Sequence, residues 1–267
     1  MTATSSATPD EISPLAQVAA LSVRAIKGFA RQPTVWVPGM VFPLLIAAVN
    51  GSALGNATDN PAFPPVDSFY DFLLPATMIQ GVMFGSIAAA SDLALDVENG
   101  FFDRLISSPV FRPSILIGRL AGGAVLAAIQ AIAFTGVFLV WGASIKGGIP
   151  GLLVLMIASM LVAVGIGGLA GSVGIRTGLA EGVQGIFPLI FILLFVSSAF
   201  FPTSLMSGVY GQVARYNPVT FLVDGLRHQV IVGFDAREAA IALGWALALA
   251  VLGVAVATRA IQARLSR

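Results

Sequence analysis

The chain has 267 residues, of which 57% are hydrophobic and only 10% are charged, with a mean hydropathy of +0.92. This apolar content exceeds what a water-soluble core can bury, and long stretches carry no charge, so a soluble all-helical protein is excluded and lipid must cover the surplus. The 14 basic and 13 acidic residues give a net charge of +1, which gives no reason to expect nucleic acid as a partner.

The N-terminal segment predicts a polar tail followed by an amphipathic helix. Residues 1–10 are small, polar and without periodicity, which predicts a disordered tail. In residues 11–33 a Ser-Pro pair supplies an N-cap and a first-turn proline, and apolar residues recur at steps of three and four. Arg24, Lys27 and Arg31 fall on the opposite face, so this helix is suited to the headgroup layer of a membrane, with an ordinary surface helix as the alternative.

Residues 34–267 contain six apolar stretches long enough to cross about 30 Å of hydrocarbon at a rise of 1.5 Å per residue. These stretches are 35–54, 69–91, 114–143, 150–173, 183–201 and 239–258. The sequence therefore predicts an all-α integral membrane protein with six transmembrane helices.

Segment 202–238 fits neither a span nor a solvated loop. It is interrupted by Asn217-Pro218, yet it is too apolar to be fully hydrated. We expect two short helices that dip into the outer leaflet. Asp224 and Arg227 are three residues apart, which predicts a local ion pair. His228 has no second ligand nearby in the sequence, so we interpret it as a polar-rim residue and expect no metal site.

The distribution of basic residues predicts the orientation. With the N-terminus in the cytosol, ten of the 14 Lys and Arg residues lie on the cytosolic side and four outside. The four outer residues are Lys146, Arg215, Arg227 and Arg237. We therefore expect both termini in the cytosol and the protein in the bacterial inner membrane.

The connection between the second and third predicted spans, residues 96–110, is too short to be a domain. Its run from Phe101 to Ile106 predicts a short helix parallel to the membrane. Exposed aromatic residues in such a loop indicate a docking partner. The alternative is that Phe101 and Phe102 fold against the membrane face of the protein itself.

Two motifs resemble those of the ABC-2 family of permeases, in particular the daunorubicin-resistance type of drug exporter. The first is Glu98-x-Gly100 followed by Asp-Arg-Leu and Ser-Pro-Val, and the second is Asn217-Pro218-x-x-Phe with Arg227 further on. The resemblance extends from the amphipathic helix to the sixth span. The chain departs from the family pattern at Phe101, where the family often has Thr, and at Asp103, where it often has Glu.

The resemblance implies the fold of ABC-2 or G-type exporters, with residues 11–33 as the connecting helix and 96–110 as the coupling helix that seats on an ABC ATPase. The coupling residues would be Glu98, Gly100, Phe101, Phe102, Asp103, Arg104 and Leu105. A second permease copy, identical or related, would complete the assembly. The sequence has no G-x-x-x-x-G-K-[ST] loop, so ATP and Mg would be held by the separate ATPase, and we expect no cofactor on this chain.

By the same resemblance, the second and fifth spans would line an apolar, aromatic path for a hydrophobic substrate. The candidate lining residues are Gln80, Met83, Phe84, Phe187, Phe191 and Phe195. Core packing or lipid contact is the alternative for each of them.

Small and charged residues in the spans have structural interpretations. The Gly-x-x-x-Gly pairs at 81/85, 118/122 and 167/171 predict close helix packing. Arg119 is expected to snorkel to the headgroups, and Asp92 is expected to be solvated or paired with Arg104 or Arg176.

Two other classes of protein compete with the permease. A channel or secondary transporter would need ionisable groups near the bilayer midplane, where the spans offer only Gln80 and Gln130 as strongly polar residues. A membrane enzyme would need a nucleophile with a base or a metal cluster, but the chain has no Cys and one His. The sequence does not choose among lipophilic drugs, lipids, glycan carriers and ions as substrates.

Overall fold

A computed structural model describes residues 13–61, 63–108 and 111–266, and within these ranges every regular element is helical. The polar tail predicted over 1–10, the first two residues of the predicted connecting helix and the Pro109-Val110 end of the predicted coupling segment lie outside the described residues. The expectation of an all-helical protein is confirmed.

Eleven α-helices and two short 3-10 turns, at Gly55–Asp59 and Thr203–Leu205, make up the described part of the chain. In order, the helices are α1 (Pro14–Ala30), α2 (Pro33–Leu54), α3 (Phe69–Glu98), α4 (Phe101–Ser107), α5 (Arg112–Val140), α6 (Gly148–Thr177), α7 (Ala180–Gln184), α8 (Phe187–Phe195), α9 (Gly208–Tyr216), α10 (Pro218–Ile231) and α11 (Ala236–Leu265).

Five of the described helices, α2, α3, α5, α6 and α11, are long and apolar enough to cross a membrane. The chain is therefore a membrane-embedded protein. Several of these helices continue beyond the predicted span: α3 runs to Glu98 rather than residue 91, which places Asp92 and Asp96 on the helix instead of in a loop. Polar residues at the last turns of a spanning helix reach water without ending the helix, so the change in composition did not mark its end.

The fifth predicted span is not one helix over 183–201. The structure has the short helices α7 and α8, separated at Gly185, and turns from Val196 onward. Pro188 lies in the first turn of α8 and has no N–H to donate, so it suits a helix start better than a helix interior.

Helix α3 lies at the centre of the bundle. It is buried along most of its length, and α2, α5, α6, α7 and α10 pack around it. Because α3, α6 and α11 all run the length of the bundle, two ends can be distinguished. We call the end where α3 leads into α4 the α4 end, and the other the opposite end.

Glycines set the closest helix contacts, but not always at the predicted pairs. Gly118 and Gly122 on α5 do admit α1, because a Cβ on Gly118 would lie 2.7 Å from Cβ of Leu21. Helices α6 and α11 meet instead through Gly168 and Gly253, where a Cβ on Gly168 would lie 2.5 Å from the Gly253 carbonyl carbon. A Cβ on Gly167 would meet only Leu120, at 3.7 Å, so the 167/171 pair is not the close approach.

We predict that Gly253→Leu destabilises the protein strongly. A Cβ at this position would lie 2.8 Å from the Gly165 carbonyl carbon, and overpacking of this kind costs about 1–3 kcal/mol. Gly244→Leu is the matched control, because Gly244 lies on the same helix and a Cβ there would meet nothing within 4 Å. Thermal denaturation in detergent, followed by size-exclusion chromatography, should show a lower midpoint for Gly253→Leu alone. Equal midpoints would contradict the assigned α6–α11 contact.

Candidate coupling site and aromatic surface

The short helix α4 begins where the backbone reverses at Gly100. Gly100 has φ +66°, in the left-handed region that favours glycine, and it follows Asn99 at the C-terminus of α3. The chain then forms α4 from Phe101 to Ser107. A single glycine therefore sets the angle at which this helix leaves α3.

The apolar side of α4 faces the protein. Phe102 is only 2% exposed and belongs to a cluster with Leu93, Val97, Ile175 and Ala260, against which Leu105 and Ile106 also pack. The expectation that Phe102 is offered to a partner is therefore wrong, because its ring holds α4 against α3, α6 and α11. Glu98, Asp103 and Arg104 are exposed, while Gly100, Phe101 and Leu105 are half-buried.

A bidentate ion pair ties α4 to the end of α11. Arg264 donates from Nε and Nη2 to the two carboxylate oxygens of Asp103, each at 2.9 Å, and from Nη1 to the carbonyl of Ile175 at 3.0 Å. The hydrogen bond from Arg264 holds the pKa of Asp103 below its usual value. Asp103 is thus already engaged within the chain.

A second cluster joins α1, α3, α4 and α5. Asp96 accepts hydrogen bonds from both Arg119 and Arg24, the latter at 3.5 Å. The guanidinium of Arg24 also lies over the ring of Phe101, 3.8 Å from its centroid. Arg119 pairs with Asp96, because the extended α3 brings this carboxylate beside it. Asp92 lies in the field of Arg119 rather than beside Arg104 or Arg176.

The other two basic residues predicted for the membrane-surface helix differ from Arg24. Lys27 and Arg31 are exposed, and no carboxylate of the described part of the chain pairs with either. The helix α1 itself packs on α5, where Ser22 donates from Oγ to the Gly118 carbonyl at 2.8 Å. The polar edge of α1, with Lys27 and Arg31, is thus exposed on the surface of the protein.

Four of the six predicted path residues lie together in a row of aromatic rings. Phe84 lies 4.6 Å from Phe187, Phe187 lies 5.8 Å from Phe191, and Phe191 lies 4.4 Å from Phe195, measured between ring centroids. Phe42 of α2 joins this row through Phe84 and Phe191. Phe187 and Phe195 are 37% and 39% exposed, so the row forms an open apolar face of the single chain.

The other two predicted path residues lie inside the chain. Gln80 and Met83 are buried in the core around α3, and neither oxygen nor nitrogen of the Gln80 amide has a hydrogen-bond partner. Met83 directly precedes Phe84 and so points in another direction. Gln80 lies one turn before Phe84, but at its level α3 is enclosed by the other helices.

The aromatic row ends in a groove at the opposite end of the bundle. This groove has a volume of about 390 Å³ and lies between α2, α9 and the turn after α8, with Leu45, Val49, Phe195, Phe200 and Tyr210 in its wall. The hydroxyl of Tyr210 donates to the Phe195 carbonyl. The row and the groove together make a continuous apolar surface along α8.

The Asn217-Pro218 motif closes the interrupted fifth segment. Asn217 donates from Nδ2 to the carbonyls of Leu193 and Val196, at 2.7 and 2.5 Å, and its Oδ1 accepts from the backbone N–H of Val219 at 2.9 Å. One side chain therefore satisfies the last carbonyls of α8 and caps α10. The sequence pointed to this motif without indicating its role.

Arg227 connects three parts of the opposite end. It donates to the carbonyls of Phe72 at 3.1 Å, Ser198 at 2.9 Å and Ala199 at 3.2 Å, and its guanidinium lies 3.6 Å above the Phe72 ring. The predicted ion pair with Asp224 is confirmed at 2.5 Å. The carbonyl contacts were not foreseen, because nothing in the sequence locates the end of α8 beside α10.

No group of three or more His, Asp or Glu side chains in the described residues could hold a metal ion. His228 is half-buried, and its Nδ1 has no hydrogen-bond partner.

The model of the ABC-2 type transporter family matches residues 16–231 of this chain. The chain belongs to the ABC-2 type transporter family. It is therefore a permease subunit of an ABC transporter rather than an enzyme, and permeases of this family function with an ABC ATPase. The matched range includes α4 and the Asp96 cluster, and it ends before α11.

Several curated proteins are similar to this ABC-2 permease. The daunorubicin resistance ABC transporter permease protein DrrB1 of Streptomyces coeruleorubidus is 24% identical over 184 residues, which cover 68% of this chain and 62% of that protein. The probable doxorubicin resistance ABC transporter permease protein DrrC of Mycobacterium tuberculosis is 23% identical over 213 residues, covering 80% and 76%. The putative transport permease ycf38 of Porphyra purpurea is 25% identical over 271 residues, covering 94% and 90%.

We predict that the Asp103–Arg264 pair stabilises α4 only above acidic pH. The pKa of Asp103 is lowered in the folded protein, so the stabilisation is present above the usual carboxyl pKa of about 4 and is lost as pH falls through the lower folded value. The protection factors of the α4 amides, which allow for the slower intrinsic exchange at acidic pH, should fall in Asp103→Asn at neutral pH and in the unsubstituted protein at acidic pH. Arg104→Gln, which removes a neighbouring charge that has no ion-pair partner among the described residues, should leave the protection factors unchanged. An equal effect of both substitutions would contradict the specific pair.

We predict that Arg227→Met strongly destabilises the opposite end. The substitution leaves three backbone carbonyls without their donor, and breaking a buried charged network costs about 3 kcal/mol or more. Arg215→Met is the control, because Arg215 is exposed. Limited proteolysis should cut the segment after α8 in Arg227→Met and not in Arg215→Met. Resistance of both variants would show that the network does not hold this segment.

Proposed function

We propose that this permease is the membrane subunit of an ATP-driven exporter and that α4 is its coupling helix. The observation that supports the proposal most is the way α4 is packed against the spanning helices. Phe102 packs it against α3, α6 and α11, and Arg264 ties it to α11 and α6. A displacement of α4 is therefore transmitted to three long helices at once.

The exposed edge of α4 is the proposed contact with the ATPase. Glu98 and Arg104 offer charges without partners in the described structure, and Gly100, Phe101 and Leu105 lie at the edge of the contact. Phe102 and Asp103 act on the other side, as the connection to the spans. ATP and Mg bind to the ATPase, whose closure moves α4 as a rigid body and switches the permease between inward- and outward-facing states.

We propose that the α4 end lies in the cytosol, with both termini on that side of a bacterial inner membrane. Ten of the 14 Lys and Arg residues then lie inside. In this arrangement α7 and α8 together make the fifth crossing, so that the chain crosses six times. Helices α9 and α10 then lie in the outer leaflet, where Asn217 and Arg227 satisfy the backbone groups that a broken helix leaves free.

The translocation path is proposed to lie between two permease copies, along the aromatic row. Phe42, Phe187 and Phe195 leave an apolar face open on the single chain. A second copy would cover this face and enclose a route for a hydrophobic molecule, drug-like or lipid-like. Two relatives carry names of daunorubicin and doxorubicin resistance, which supports a lipophilic substrate. Gln80 and Met83 are left out of the path unless α3 rotates during transport.

A channel or secondary transporter without an ATPase was the alternative from the sequence. Membership of the ABC-2 family removes its main support, so the exporter is the single function proposed.

We predict that the permease, purified through an N-terminal tag from its native membrane, carries a stoichiometric ATPase with a phosphate-binding loop. The double variant Glu98→Ala with Arg104→Glu should lose this subunit, because it removes one unpaired charge of the α4 edge and reverses the other. Arg215→Glu is the matched control, since it places the same charge reversal on an exposed residue at the opposite end. Mass spectrometry and subunit stoichiometry provide the measurement.

Each outcome of this experiment bears on a separate part of the proposal. Loss of the ATPase from the double variant alone supports α4 as the coupling helix. Retention of the ATPase by both variants removes α4 from the interface. Absence of an ATPase from the unsubstituted permease, in several detergents and with added nucleotide, overturns the exporter.

A further inference from the structure

A cleft of about 650 Å³ opens between α1, α3, α5 and α6 toward the α4 end. It is separate from the aromatic row, because none of the rings of that row lines it. Its deeper wall is made mainly of small residues. They include Gly85, Ala89, Gly123, Ala127, Ala163 and Gly167.

Gly123 and Gly167 leave open space in the cleft rather than bringing helices together, whereas Gly85 packs closely against the amide of Gln130. A Cβ on Gly123 would meet nothing within 4 Å, and one on Gly167 would meet only the tip of Leu120. On the same helix as Gly123, in contrast, a Cβ on Gly122 would lie 2.9 Å from Cβ of Ala25. The volume falls in the range of about 300–1,000 Å³ that is typical of small-molecule sites.

The charges around the cleft favour an anion. Its lining includes four basic side chains, Arg24, Lys27, Arg31 and Arg119, against two acidic ones, Asp92 and Asp96. Arg24 and Arg119 are engaged by Asp96. Lys27 and Arg31 have no carboxylate partner among the described residues, so an excess of positive charge remains on the α1 side.

We infer that this cleft binds an anionic amphiphile with one slender apolar chain, taken from the adjacent membrane leaflet. The acidic head lies at Lys27 and Arg31, and the chain follows the wall of small residues. The site lies within one permease copy. Binding there does not require the ATPase or the path between copies, so it can be tested separately from the exporter proposal.

The experiment measures binding of dansyl-undecanoic acid, which has a carboxylate and an apolar chain, to the full chain in phosphatidylcholine nanodiscs. Gly123→Leu places a side chain in the cleft, and Gly136→Leu is the matched control on α5, where a Cβ also meets nothing within 4 Å but lies outside the cleft. Saturable fluorescence enhancement is expected for the unsubstituted protein and for Gly136→Leu. The affinity of Gly123→Leu should fall by about tenfold or more, which corresponds to about 1.4 kcal/mol.

The role of charge is tested with the same readout. Lys27→Gln with Arg31→Gln should weaken binding of the acid severalfold and leave binding of its methyl ester unchanged. Equal affinity of Gly123→Leu and Gly136→Leu, or tighter binding of the cation dansylcadaverine than of the acid, would overturn the inference. Size-exclusion profiles and thermal midpoints that match the unsubstituted protein establish that each variant is folded.

Discussion

A backbone amide or carbonyl that is shielded from water needs a partner within the protein, and this constraint governs how the protein tolerates its interrupted fifth segment. The helix stops at Phe195, and the carbonyls that would have continued it are satisfied by side chains from α10. Asn217 takes two of them, and Arg227 takes two more from the turn that follows. The polar residues of α10 are therefore required by the break in the preceding segment.

The same requirement applies to charge at the α4 end. Asp96 pairs with two arginines and Asp103 with a third, so that these five charged groups are neutralised within the chain. The partners come from α1, α3, α4, α5 and α11, which are distant in the sequence. Electrostatic neutralisation and the Phe102 cluster thus join the same helices, and α4 has little freedom to move independently of them.

The sequence was sufficient for what depends on composition and local pattern. Apolar length identified the spans that are single helices, Gly100 and the following aromatic run identified α4, and three-residue spacing identified the Asp224–Arg227 pair. It was insufficient where the result depends on which helices are neighbours. Phe102 was assigned to a partner because a pattern does not reveal that α6 and α11 cover it. The pairing of Arg119 with Asp96 was not predicted, because the continuation of α3 that brings this carboxylate beside it has no signal in composition.

The glycine pairs show the same limit. The spacing at 167/171 is as regular as that at 118/122, yet one borders a cleft and the other receives α1. A spacing motif records that a backbone can be approached closely, and only the three-dimensional arrangement determines whether another helix or an open volume lies there. The core position of Gln80 follows likewise from the enclosure of α3 on nearly every side.

The bond between Arg264 and α4 has a practical consequence for handling the protein. The last turn of α11 is not a free end but part of the surface that carries α4. A fusion partner placed close behind Arg264, or a shortened chain that lacks it, would disturb the region proposed to meet the ATPase while leaving every membrane crossing intact. Reporters and purification tags belong at the N-terminus, and a loss of activity on C-terminal labelling would have a local structural origin.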